Sequence, residues 1–255
     1  MECPSRRFIV GTTSLKLQAS QFSKHNLIIG SLIVLDIIFI ILYFWFADQT
    51  SLLNLDIERN IPTAYQSVKL VVTGALIAGL ITLSFASKTR FRSYLLIPYC
   101  AIFIYLGIDE IGAIHESFEG VANRIGGDTV TQYREFYISS GYHAAQWLLY
   151  YTPIIVIAVA YLIYLVGYFR EKKIKYLFLM AMGIALFSLV PVVEYYDSSS
   201  RETSGQANRS IVATEEFFEM LGASVFFAFN LLILRDEIKN FSRSPESEEL
   251  KKHQS

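Results

Sequence analysis

The chain has 255 residues, of which 53% are hydrophobic and only 18% charged, and its mean hydropathy is +0.39. A soluble domain carries about a quarter charged residues, so the soluble, disordered, collagen-like and disulfide-rich classes are excluded and a polytopic membrane protein remains. A net charge of −1 argues against nucleic acid as a partner, and the two cysteines, Cys3 near the N-terminus and Cys100 in an apolar run, imply no disulfide framework.

In chain order, apolar runs at 27–47, 66–86, 93–114, 144–168, 175–196 and 213–234 are each long enough to cross a bilayer. A hydrocarbon core of roughly 30 Å takes about 20 helical residues. Backbone groups in lipid must bond internally, so each run is expected to be a helix. The expected fold class is all-α: a polytopic bundle of six transmembrane helices. The expected division is an N-terminal tail over 1–26, the six-helix domain over 27–235 and a polar, disordered tail over 236–255. The first run is too long for a signal-peptide core and no A-x-A site follows it, so it reads as a retained anchor.

The inter-helix segments alternate in charge. The N-terminal tail, the 87–92 and 169–175 turns and the tail from Arg235 together hold 16 Lys and Arg, against 5 in the intervening segments. The positive-inside bias therefore predicts cytoplasmic termini, with 48–65, 115–143 and 197–212 as outer loops. The expected location is a bacterial cytoplasmic membrane, with the lipid bilayer as the first partner and an unidentified membrane protein as a further one. Pro62, after Asn60-Ile61, suits the first turn of a helix. Gly126-Gly127 marks a turn in the longest outer loop. No internal repeat or inverted hydropathy symmetry is visible, which counts against a classical transporter.

Ionisable residues inside spans are costly and point to function. Depth follows from a rise of about 1.5 Å per residue, counted from the basic residue at each helix's inner end. Asp109 counted from Arg92, Glu194 from Lys175, Glu219 from Arg235 and Lys69 from Lys88 then all lie about 24–29 Å from the inner surface. That plane is the outer edge of the hydrocarbon core. Around it stand Glu110, His115, Glu116, His143, Gln146, Asp197, Glu215 and Glu216. If the third helix continues, Asp109 and Glu116 are seven apart and share a face, whereas His115 points about 120° away.

Carboxylates with imidazole at several helix ends suit a divalent first-row metal such as zinc, iron or manganese. The expected ligand set is Asp109, His115, Glu116, His143, Glu194, Glu216 and Glu219, with Asp109, Glu110 and Glu219 as catalytic acids and bases. A bound metal would activate water or support redox chemistry. Without one, crowded carboxylates share protons and suit a proton relay or cation path.

Structural readings stand beside these. Glu215 and Glu216 follow Thr214, a good N-cap, and acids favour a helix N-terminus. Lys69 could pair with Asp109 for structural reasons alone, or snorkel outward. Asp36 is mid-span, away from the acidic plane, and is expected to bond a neighbouring helix through Thr73 or Ser84. Tyr43, Trp45, Tyr65, Tyr137, Tyr142, Trp147, Tyr150, Tyr195 and Tyr196 read as an outer aromatic belt. Gly74, Ala78 and Gly79 read as a close-packing stripe. Asn208-Arg-Ser210 matches a glycosylation sequon, relevant only in a eukaryotic secretory host. A bis-histidine heme lacks paired histidines within spans, and a retinal Schiff base would have to use Lys69.

Three segments carry a resemblance: Leu55-Asp-Ile-Glu58-Arg-Asn60-Ile-Pro62-Thr63, the run Asp109-Glu110 to His115-Glu116, and Glu215-Glu216-Phe-Phe-Glu219-Met-Leu-Gly222. Over most of residues 50–235 the chain resembles a group of uncharacterised bacterial multi-pass membrane proteins with these segments. The resemblance implies attention to those positions and no particular activity. The layout is also similar to the ceramidase-like membrane hydrolases, with their zinc at helix ends. The paired H-x-x-x-H of that family is missing and there is one span fewer, so the likeness is one of arrangement. Three readings follow: a metal-dependent enzyme acting on a lipid or small apolar substrate, a non-catalytic scaffold or complex subunit, and a proton- or cation-coupled transporter.

Overall fold

A computed structural model describes residues 6–55, 60–87, 90–114, 132, 135, 146–169, 174–204 and 208–242. Among them lie six long helices and no strand: α1 Arg6–Phe46, α2 Ile61–Ala86, α3 Arg90–Gly112, α4 Gln146–Phe169, α5 Ile174–Ser204 and α6 Arg209–Phe241. Stretches of α1, α2, α3, α5 and α6 are long and apolar enough to cross a membrane, and α4 contributes the shorter apolar stretch Pro153–Gly167. The all-α class and the membrane-spanning character hold.

α1 and α2, α2 and α3, and α5 and α6 run antiparallel, so one end of the bundle gathers the end of α1 and the starts of α2 and α6. This end is called upper. The sequence makes its turns there by side-chain capping. Asn60 Oδ1 accepts from Thr63 N at 2.7 Å and Asn60 Nδ2 donates to Asn54 O at 2.6 Å. With Pro62 in the first turn, the N-I-P-T segment starts α2 five residues before the apolar run. A short 3₁₀ turn, Ser51–Leu53, precedes it.

Two expectations about helix ends are corrected. α6 starts at Arg209 and not near Thr214: Asn208 is its N-cap and accepts from Ser210 N at 3.0 Å. Thr214 Oγ1 instead donates to Ser210 O, within the helix. Glu215 and Glu216 are therefore beyond the first turn, where the helix dipole no longer accounts for them. α3 stops at Gly112, and Ala113 turns the chain with φ 48°, its N–H bonding Asp109 O at 2.7 Å. The helical register that would align Asp109 with Glu116 ends there, and Glu116 lies outside the described residues.

α6 is the axis of the bundle: 56% of its apolar window is buried, against 11% for α1. It packs on α1, α2 and α5, while α2 also packs on α3 and α5 on α4. Close approach depends on small residues. A Cβ on Gly107 would meet Val71 Cγ2 at 2.7 Å and Ser67 O at 3.0 Å, and Ser67 Oγ donates to Gly107 O across the same α2–α3 seam. Gly74 has the same role against Ile104, and a Cβ on Gly183 of α5 would meet the Phe226 ring. Gly79 makes only ordinary contact. Below the seam, Tyr99, Phe103, Phe169, Phe226 and Phe229 form a buried aromatic layer of edge-to-face pairs.

Candidate functional site

A buried ion pair joins α1 and α2. Lys69 Nζ donates to Asp36 Oδ1 at 2.6 Å, to Met220 O at 2.8 Å and to Ser224 Oγ at 3.2 Å. An ammonium has three protons, and all three are used. Ser224 Oγ donates in turn to Asp36 Oδ2 at 2.6 Å, so both carboxylate oxygens are bonded. The Tyr65 ring lies over the ammonium at 4.4 Å, and its hydroxyl donates to Leu32 O. Asp36 is 0% exposed and Lys69 3%. The node thus ties α1, α2 and α6 together through opposite charges that cancel inside the bundle.

This corrects the sequence reading of both residues. Asp36 does not bond Thr73 or Ser84, because Lys69 and Ser224 occupy its oxygens; Thr73 Oγ1 donates to Lys69 O in its own helix. Lys69 does not snorkel and its hydrogen bonds do not go to Asp109. Tyr43, 2% exposed, and Tyr65 face inward rather than outward as belt residues would, while Trp45 and Tyr196 are large exposed rings.

Above the node lie carboxylates. Glu110 of α3 and Glu219 of α6 act electrostatically on Lys69 without entering its filled hydrogen-bond shell. Glu215 of α6 hydrogen-bonds Glu194 of α5, with Glu216 and Glu219 within electrostatic range. Glu194, Glu216 and Glu219 thus all stand around Glu215. Glu215, set aside as a helix-start residue, joins them, and the misplaced N-cap hid it. Asp109 is buried on the last turn of α3.

His115, Glu116 and His143 lie outside the described residues. Among the described residues, no group of three or more His, Cys, Asp and Glu is placed to hold a metal ion. At the upper rim, Arg209 pairs with Asp48. At the lower end, Tyr176 donates to Asp236, which also pairs with Arg235 at 2.9 Å, and Asn230 Nδ2 donates to Tyr99 Oη at 3.0 Å.

The chain belongs to the family described as Domain of unknown function (DUF8692), whose model matches residues 29–234. That span contains the ion pair, the upper carboxylates and all three segments that carried the resemblance. No curated protein and no solved structure matches the chain.

Proposed function

We propose that this protein is a proton- or cation-coupled membrane transporter, with its upper end facing outward and both termini on the cytoplasmic side of a bacterial cytoplasmic membrane. The Lys and Arg bias of the loops supports the orientation. The observation that carries the function is the buried Lys69–Asp36 pair beneath Glu110 and Glu219. A transporter needs a polar path that continues inward from its mouth, and this pair extends the carboxylate cluster to mid-bundle.

The chemistry is electrostatic. In a low-dielectric interior a negative charge above the pair favours its ionised form, and losing that charge favours the neutral one. A proton or cation that neutralises Glu110 or Glu219 removes that support. The balance then moves toward transfer of a proton from Lys69 Nζ to Asp36 Oδ1, 2.6 Å away. A neutral amine and a neutral carboxylic acid hold α1 against α2 less strongly than an ion pair does, which frees the helices to move. The aromatic layer below keeps the lower half shut meanwhile, in keeping with access to one side at a time.

Purified protein reconstituted into vesicles with a trapped pH dye tests this. An imposed gradient is expected to drive flux above empty vesicles, with Glu219→Gln reducing it and Asp36→Asn abolishing it. Folded wild type without flux, or flux indifferent to Asp36→Asn, contradicts the reading. In the second case Asp36 and Lys69 are a structural tie.

A further inference from the structure

Gln66 is a buried side chain that the ion-pair chemistry does not use. It is 2% exposed, and neither Oε1 nor Nε2 has a hydrogen-bond partner. An amide held this way inside a bundle is costly unless something else satisfies it.

Two contacts fix its level. Lys69 Nζ reaches Met220 O, which aligns α2 near residue 69 with α6 near residue 220. Since Lys69 Nζ reaches both Met220 O and Ser224 Oγ, Gln66 starts about 4.5 Å above Lys69 and within about one turn of Glu219. Ser67 bonds Gly107 O, which aligns α2 with the antiparallel α3. Glu110 therefore starts about 4.5 Å above Gly107, on the other side of Gln66. Gln66 shares one buried stripe of α2 with Leu70, Thr73 and Ile77, between the edge that packs on α3 and the edge that carries Lys69. Helical side chains lean toward the helix N-terminus, which here is upward, into the carboxylates.

We propose that Gln66 Oε1, Glu219 and Glu110 form a site for a monovalent alkali cation of sodium's size and hardness. The donors are all hard oxygens. The neighbouring ammonium of Lys69 opposes a second positive charge, which disfavours calcium and magnesium; these also demand six or more ligands. The amide selects a cation over a bare proton, because a carbonyl oxygen coordinates metal ions but does not relay protons. The proposal rests on the transport reading for its purpose, and on the placement of Gln66 for its existence.

The test is thermal unfolding of the detergent-purified full chain in sodium chloride or choline chloride at equal ionic strength, with direct radioactive-sodium binding alongside. Wild type is expected to show saturable sodium binding and a saturable rise in Tm. Gln66→Leu is expected to lose both while unfolding no earlier than wild type in choline, since the substitution removes an unsatisfied amide. Gln66→Glu should keep sodium binding. Absence of sodium binding to wild type, or its survival in Gln66→Leu, overturns the site. Should Gln66→Leu fail to fold, wild-type binding and Gln66→Met decide the matter. Proton flux in sodium-free medium without sodium binding removes this site and leaves the transport reading standing; sodium binding without flux does the reverse.

Discussion

The node at Lys69 and the carboxylate group above it are built from similar residues in opposite ways. In the node every proton donor and acceptor of the ion pair is matched, and the charges sum to zero. In the upper group acids meet acids: Glu215 bonds Glu194, and Glu216 and Glu219 crowd the pair. A matched, neutral node is expensive to disturb and suited to holding helices. The contrast is between a matched, neutral tie that joins three helices and a group of acidic side chains above it.

Breaking the node has the largest expected effect. Lys69→Met leaves Asp36 charged and buried, and is expected to cost about 3–5 kcal/mol in unfolding measurements. The double change Asp36→Leu with Lys69→Met should recover most of that loss, because apolar pairs replace buried ion pairs well. If the double variant is no more stable than Lys69→Met, the pair is not the tie described here. Next is the α2–α3 seam. Gly107→Ala forces a Cβ against Val71 and Ser67 O, and is expected to cost about 1–3 kcal/mol by the same assay. Because the seam sets the distance from Glu110 to Lys69, this variant should also alter flux, which would separate the contribution of α3 from that of α6.

Smaller effects are expected at the rim. Asn60→Ala removes the cap of α2 and should cost about 1 kcal/mol, with little change in flux. Arg209→Ala breaks an exposed pair with Asp48 and should leave thermal unfolding unchanged within error. A large loss there would mean that the upper end is held more rigidly than its exposure implies.

The helices were legible in the sequence because apolar length is an unambiguous signal. Glu194 and Glu219 could be singled out from the sequence because each helix has a basic residue near its lower end from which to count. The Asp36–Lys69 pair was not. Asp36 was measured from Lys24, but α1 runs through Lys24 from Arg6, so that residue marks no helix end. Counted from the upper ends instead, Asp36 lies about 15 Å and Lys69 about 12 Å down, which puts them at one depth. Glu215 was hidden by two competing N-caps, Asn208 and Thr214, both of the right residue type. The seam at Gly107 was overlooked because a lone glycine beside Asp109 reads as part of a polar helix end. In each case a local signal had two readings, and only the packing of a second helix chose between them.

The central claim is that the upper carboxylates and the buried pair act as one electrostatic unit. Charge displacement after a rapid proton or sodium jump, recorded on protein adsorbed to a supported membrane, tests it most directly. Wild type is expected to give a transient current, and the folded Asp36→Leu, Lys69→Met double variant none. A full-sized current from the double variant would mean that the rim binds ions with no help from the buried pair, and the account would be wrong.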